Sequence, residues 1–444
     1  MRLDAEYFQP EYLEIERTLM LSKRYKYWKD IDGRFITGPF GSEFNVENYI
    51  EKGKYRYVRG KDVKEFFLLD NDNVYIPEKD FVRLNKYALK ESDILVSVVG
   101  TLGNTVIVDS PILPAIYSCK STVFRTKEVN PYYLIAFLNS KYGRKLLERS
   151  VRGAVQTGLN IDDLKSLPIY VPSNALQLEV SSLVLQSKKE IDSSKLLYQQ
   201  AEDLLLEELG LKDIQFEDDL SFVINSGEVK TANRTDAEYY RPKYKEIIKI
   251  LKKNPNDVLE NCFYIIRSKN FLYTEEGDIG VIKTKQLGKQ FLGFQVENVT
   301  TNEVVDTEKL PTIQDRDVLF ASMGVGSLGK TNIYYELEND NQFTIDSTLK
   351  IFRAKKEQKL LPEVLSVYLS SEIGQQLIYK YIVGSSGIIS IYDNYIRELI
   401  IPILPKSTQQ KIADLVRQSH ESRKKSKELL EQAKSKVEEI IKKG

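Results

Sequence analysis

Between Asn174 and Gly210 the chain runs through NALQLEVSSLVLQSKKEIDSSKLLYQQAEDLLLEELG with no proline and no internal glycine. Leu176, Val180, Leu183, Ile191, Tyr198, Ala201 and Leu205 recur at three- and four-residue steps, the spacing of one helix face or a coiled-coil seam. Ser187 and Ser194 fall on the same seam. At 1.5 Å per residue the run spans about 55 Å, well beyond an ordinary globular helix, so it reads as a strut between two bodies.

The strut occurs twice. A shift of 232 residues pairs it with Gln409 to Lys443: Val180 meets Ile412, Leu183 meets Leu415, Val184 meets Val416, and Ala201 meets Ala433. The seam serines recur as well, Ser187 as Ser419 and Ser194 as Ser426. The same shift carries DAEYFQPEYLEI, Asp4 to Ile15, onto DAEYYRPKYKEI, Asp236 to Ile247, with eight of twelve positions identical. Such self-similarity is the mark of a duplicated unit. The tyrosines and proline of this motif suit either a docking surface for a partner or a helix start packed on the strut.

A length of 444 residues predicts about three domains, and the repeat revises this to two bodies and two struts. The expected boundaries are 1–173 and 211–405 for the bodies, with 174–210 and 406–444 for the long helices. The segment from Leu211 to Asn233, polar and containing Asn225, Ser226 and Gly227, reads as a connector. Lysine plus arginine equal aspartate plus glutamate at 64 each, so a nucleic-acid face requires charge to be segregated on the surface. Cys119 and Cys262 lie in different halves and offer neither a disulfide framework nor metal-ligand spacing. The single histidine, His420, sits in a charged helical stretch and is expected to be solvated. The start, MRLDAEYFQPEY, has no apolar signal region, and no run approaches 18 apolar residues; a soluble cytoplasmic protein is expected.

Met20 to Lys64 carries eleven lysines and arginines against six acids, interleaved with Tyr25, Tyr27, Trp28, Tyr55 and Tyr57. Within it, TGPFGS (Thr37, Gly38, Pro39, Phe40, Gly41, Ser42) is a loop whose glycines let backbone approach another molecule. KYRYVRGKDV, Lys54 to Val63, alternates as a half-buried strand that turns at Gly60, with Arg56, Arg59 and Lys61 at or beside its end. Basic residues so placed can meet phosphates or base edges; the plainer reading is a solvated strand face. In the second half GVIKTKQL aligns at an offset of 224, so Lys283 takes the place of Arg59 and Lys285 that of Lys61, followed by Gln286. RSKNFLYTEEG, from Arg267, lacks the glycines of the first loop and offers no counterpart to it.

Residues 92–108 read as strand, glycine turn, strand, and Arg316 to Tyr334 repeats the layout, with Asp93 answering to Asp317. In the second copy GVGSLGKT, Gly324 to Thr331, fits the phosphate-loop pattern G-x-x-x-x-G-K-[ST]. A phosphate loop needs a helix next, whose amides hold the phosphates. The continuation NIYYELEND is β-like and acidic, and the first copy has Asn104 in the lysine's place, so a hairpin turn is favoured. A phosphate-loop nucleotide-binding protein built on Gly324–Thr331 stands as the alternative function, and a purely structural coiled-coil scaffold as a third. In the favoured reading Lys330 touches a DNA phosphate. Each half then closes alike: an amphipathic helix (Pro131 to Arg149; Pro362 to Tyr381), a small-residue turn from Gly153 or Gly384, and an apolar strand (LPIYVP; LIIPILP) leading into the strut.

This layout resembles the specificity subunit of type I restriction-modification systems over the whole chain. The matching features are TGPFGSEF, the SDILVS…GTLG hairpin, and QTGLNIDDLKSLPIYVP running into the first long helix, in an order followed twice. The resemblance implies an α+β fold: two tandem target recognition domains of mixed α/β structure, separated by two long helices in an antiparallel coiled coil with pseudo-two-fold repetition. It implies double-stranded DNA as ligand and two methyltransferase subunits as partners, with ATP-driven restriction subunits as further ones. S-adenosylmethionine, ATP and magnesium would sit on those partners and no cofactor on this chain. Consistent with a non-catalytic role, the nearest approach to an adenine-methyltransferase motif is NPY at Asn130 to Tyr132, which lacks the second proline. Two unlike bodies on paired struts would read a bipartite, asymmetric target.

Overall fold

The computed structural model describes residues 5–39, 43–70, 73–153, 157–212, 214, 216, 221–336, 341–384, 387 and 389–443. The chain divides into two units, Met1–Ile191 with Lys425–Gly444, and Asp192–Lys424. The predicted struts are continuous helices, Asn174–Glu208 of 35 residues and Lys406–Lys443 of 38.

Each unit contains half of each long helix, packed seam to seam. In the first unit Val180 and Val184 share a core with Ala433, Val437, Ile440 and Ile441. At the edge of that core Ser187 Oγ lies 2.8 Å from Ser426 Oγ. In the second unit Tyr198, Ala201 and Leu205 share a core with Ile412 and Val416. There Ser194 Oγ lies 3.1 Å from Ser419 Oγ, and the Ser419 hydroxyl donates to the Ser194 carbonyl at 2.7 Å. Rising numbers on one helix meet falling numbers on the other, so the helices run antiparallel. Under the 232-residue shift Ser187 becomes Ser419 and Ser194 becomes Ser426, so the two contacts are copies of one contact. Each fully buried valine or leucine of the seam contributes roughly 1.5–3 kcal/mol. The flanking pairs Lys436–Glu179 at 2.7 Å and Lys425–Glu190 at 2.6 Å are largely solvated and add little.

The body of the first unit combines two sheets. Gly33–Thr37, Ser121–Thr126, Ile94–Ser97, Thr105–Ile107 and Glu65–Phe67 lie side by side in that order in one. Val74–Ile76, Tyr55–Val58 and Ala115–Tyr117 form the other, with Tyr55–Val58 central. The second unit repeats the plan. Phe263–Arg267, Leu349–Ala354, Val318–Ala321 and Thr331–Ile333 make its larger sheet, and Val299–Thr300, Ile279–Ile282 and Gln342–Ile345 its smaller one. Both small sheets have one parallel and one antiparallel pairing about the central strand. The hairpins fold as read, with Ile94 opposite Ile107 and Val318 opposite Ile333. At their base Asp93 receives both Nε and Nη2 of Arg125 at 2.6 Å, and Asp317 receives those of Arg353 at 2.9 and 2.6 Å. Burial nonetheless holds the Asp317 carboxyl above the usual range.

Three sequence expectations change. Each closing amphipathic helix is two helices, Pro131–Asn139 with Lys141–Arg149 and Pro362–Ser370 with Glu372–Lys380. Ser140 and Ser371 break them by accepting from the amides of Gly143 and Gly374 at 3.4 and 3.2 Å. A Cβ on either glycine would come within 2.2 Å of Phe137 O or 2.0 Å of Tyr368 O. The connector holds a short helix, Ser226–Ala232, because Asn225 caps it by accepting from the Gly227 amide at 2.8 Å. His420, expected in solvent, is buried beside the rings of Phe291 and Tyr335 at 5.0 and 4.7 Å. It follows seam residue Ser419 and so faces the body of the second unit, where Arg423 also stacks on Phe291 at 4.3 Å.

In the duplicated DAEY motif Tyr7 and Tyr239 are half-buried while the alanine and glutamate before each are exposed, and Asp4 lies outside the described residues. In the first unit Arg149 covers the Tyr7 ring at 4.0 Å and its Nε donates to the Tyr7 carbonyl at 2.9 Å. Lys380 does the same to Tyr239 in the second unit, at 3.3 Å from the ring and 2.8 Å from the carbonyl. Burial pushes the Lys380 ammonium down to about 8, reinforced by Arg234 and Lys245 and partly offset by Asp236.

Two outcomes follow from these contacts. Ser187→Ala should cost about 1 kcal/mol in denaturant unfolding, and Ser187→Ala with Ser426→Ala less than the two single losses together. An unfolded lysine titrates near 10.4, so between pH 8 and about 10 the folded chain sheds the Lys380 proton first. Over that window the wild type should gain thermal stability relative to Lys380→Arg, which keeps its charge; a constant difference would show that Lys380 does not titrate there.

Candidate nucleic-acid interface

In the first unit the strand Tyr55–Val58 ends at Arg59, and a 3-10 turn, Gly60–Asp62, follows. The Arg59 amide donates to Asp62 Oδ2 at 2.8 Å, while Nε and Nη2 reach Oδ2 and Oδ1 at 3.1 and 3.0 Å. Asp62 is buried, so this fork fixes both the turn and the guanidinium plane. Lys61 is exposed at the tip.

The turn Ser118–Lys120 links the two sheets and gathers the other elements around it. Gly38 lies so close that a Cβ there would stand 2.4 Å from Ser118 O, which requires glycine at this point of the Thr37–Pro39 loop. Gly60 faces the stem of Lys120, with 3.2 Å from an added Cβ to Lys120 Cβ. Val98, entering the hairpin turn, donates to the Lys120 carbonyl at 2.9 Å and accepts from the Leu159 amide at 2.9 Å. Loop, turn, hairpin and the described part of the QTGLN segment, from Thr157, thus meet at one place, while residues 154–156 lie outside the described residues. Phe40, Gly41 and Ser42 lie outside the described residues. Lys120, exposed beside Lys61, was missed from sequence because it sits outside every repeated motif; its counterpart in the second unit is Thr348.

The second unit builds the same turn with other side chains. Ile279–Ile282 ends at Lys283, and Thr284–Gln286 forms the 3-10 turn, with the Lys283 amide donating to Gln286 Oε1 at 3.1 Å. Lys283 Nζ stands 4.1 Å from the Tyr273 ring centroid. Lys285 pairs with Glu297 and holds that carboxyl below the usual range. Ser322 donates to the Thr348 carbonyl at 2.9 Å and accepts from the Ile391 amide at 3.0 Å, as Val98 does with Lys120 and Leu159.

Two residues grouped with the readers from sequence are interior. Arg56 is 4% exposed, bound to the Leu69 carbonyl and 3.7 Å from Asp70. Gln286 is 7% exposed and donates to the Gln295 carbonyl at 2.9 Å. The strand expected to be half-buried is central in its sheet and buried at Arg56, Tyr57 and Val58 alike, so Arg56 has no solvent face; Gln286 takes the place of the buried Asp62 and braces its turn. Lys330 closes its hairpin loop, its carbonyl accepting from the Ala321 amide at 2.9 Å, and follows Gly329, whose carbonyl accepts from Gln375 Nε2 at 2.9 Å.

The family model for the type I restriction modification DNA specificity domain matches residues 40–201 and again 256–434. The chain belongs to this family. No curated protein sequence matches it. Among solved structures, the specificity subunit of a type I restriction-modification system from M. genitalium is 14% identical, with 94% of this chain and 95% of that one covered at a TM-score of 0.41. The HsdS subunit from Thermoanaerobacter tengcongensis is 13% identical, with 94% and 96% covered at a TM-score of 0.29. The assignment rests on the family match.

As a member of the specificity family the chain carries DNA sequence-recognition domains. The phosphate-loop alternative loses its structural premise: Thr331 opens the strand Thr331–Ile333, where nucleotide binding requires a helix. Among the described residues no group of histidine, cysteine, aspartate or glutamate could hold a metal ion, and no helix is long and apolar enough to cross a membrane. Calorimetry on the purified chain should show no ATP binding, identically for wild type and Lys330→Ala. Tight binding lost in the variant would restore the nucleotide reading.

Proposed function

We propose that this chain is the sequence-reading and assembly subunit of a type I restriction-modification complex, binding a bipartite, asymmetric duplex target with one half-site to each unit. Two methyltransferase subunits would dock on it and bring S-adenosylmethionine; restriction subunits driven by ATP and magnesium are further partners. The chain itself performs no chemistry in this reading and works in the cytoplasm. The supporting observation is one turn built twice with a shared lysine, Lys61 or Lys285, between unlike side chains: Arg59 and Asp62 in one unit, Lys283 and Gln286 in the other. A common scaffold with different chemistry at its tip is what two dissimilar half-sites demand. In the first unit the forked Arg59 suits guanine, while Lys61 and Lys120 suit phosphates.

The test is to map the methylated sequence in a host expressing the chain with its cognate methyltransferase, then measure binding of the assembled complex to that duplex. Arg59→Ala should relax preference at one position of one half-site, at about 1–3 kcal/mol. Lys61→Ala and Lys120→Ala should weaken all duplexes alike, each lowering the salt slope by about one. Methylation without a two-part motif would overturn the proposal.

A further inference from the structure

In the second unit residues 268–274 follow the edge strand Phe263–Arg267, as the Gly38–Pro39 loop follows Gly33–Thr37 in the first. Although it lacks the glycines of the first loop, this segment occupies the corresponding place. Asn270 Oδ1 accepts from Ser347 Oγ at 2.6 Å, on the turn equivalent to Ser118–Lys120. Phe271 packs beside Ile279, Val305 and Leu310. Tyr273 meets Phe271 edge-on at 5.3 Å, and its own ring lies under Lys283. The Thr274 amide donates to the Val299 carbonyl at 3.1 Å.

Leu272, between these anchors, is 87% exposed. A solitary exposed leucine is usually unremarkable on a protein surface. This one differs in its setting, because both neighbours are held by aromatic and cationic contacts, and the next residue, Tyr273, lies under Lys283, the cation that replaces Arg59.

We propose that Leu272 is a wedge that enters the duplex between two adjacent base pairs of the half-site held by the second unit. It unstacks that step, and Lys283 meets the phosphates alongside. The inference rests on the DNA-reading role proposed above. Leucine is among the apolar side chains able to part a base step and kink the helix. Pyrimidine–purine steps yield most easily, so that half-site gains a preference for such a step without any hydrogen bond to a base.

The experiment uses the complex assembled with its methyltransferase subunits and the duplex identified by methylation mapping. 2-Aminopurine is walked through the half-site, leaving out the methylated adenine, which can fluoresce for its own reasons. With the wild type, fluorescence should rise at one step. Leu272→Ala should abolish the rise and weaken binding roughly tenfold or more, and a single mismatch at that step, which unstacks it beforehand, should restore most of the affinity. Leu272→Met should behave as wild type. Because the side chain is exposed, the variants should fold normally by circular dichroism. No unstacked step with the wild type, unchanged binding by Leu272→Ala, or a loss that the mismatch does not restore would each overturn the wedge. A wild-type complex with no sequence preference would instead overturn the reading on which it rests.

Discussion

Each unit depends on the register of two long helices drawn from distant parts of the chain. The core of the first unit needs Ala433, Val437 and Ile440, and that of the second needs Tyr198, Ala201 and Leu205 from the helix that begins in the first. A slip by one position would set the hydroxyls of Ser187, Ser194, Ser419 and Ser426 against apolar neighbours and leave them unsatisfied. Such a slip costs desolvation energy at several sites together. The serines therefore add little gross stability but discriminate among registers, as isolated polar residues do in other coiled coils. The cost is kinetic: the first unit closes only when residues 425–443 return to it across most of the chain, and such closure is entropically slow.

Given that frame, the body of each unit separates what must stay fixed from what varies. The buried forks Asp93–Arg125 and Asp317–Arg353 tie the hairpin to its neighbouring strand in both copies. Removing one partner of such a pair strands a buried charge, which makes the arrangement hard to alter. The 3-10 turn is fixed too, by Asp62 in one copy and Gln286 in the other. Its tip is not. Lys61 and Lys285 are both exposed, Lys285 in a pair with Glu297; the first unit adds the exposed Lys120, where the second has Thr348.

The attachment of the bodies to the coil also differs in chemistry. In the second unit Glu363, fully buried, receives Arg316 at 2.9 and 2.8 Å and Arg417 of the long helix at 3.2 Å, while His420 packs between two rings. In the first unit Lys188 of the long helix meets Asp109 at 2.8 Å. Positions related by the duplication thus keep their geometry and change their charge, so a shared fold does not imply shared electrostatics.

The sequence by itself determined the duplication, the two long helices, the hairpins and the strand leading to Arg59, because each is written in periodicity or in identity at a constant offset. It also placed Lys283 opposite Arg59, since a 224-residue shift needs no knowledge of contacts. Only the tertiary structure decided which polar side chains face inward. Arg56 lies on a central strand with both faces covered, His420 lies in a charged stretch but packs against the body, and Lys120 and Leu272 belong to no repeated motif. Periodicity reports the faces of an element; which face a second element covers depends on contacts between residues far apart in the chain, and those are absent from any local pattern.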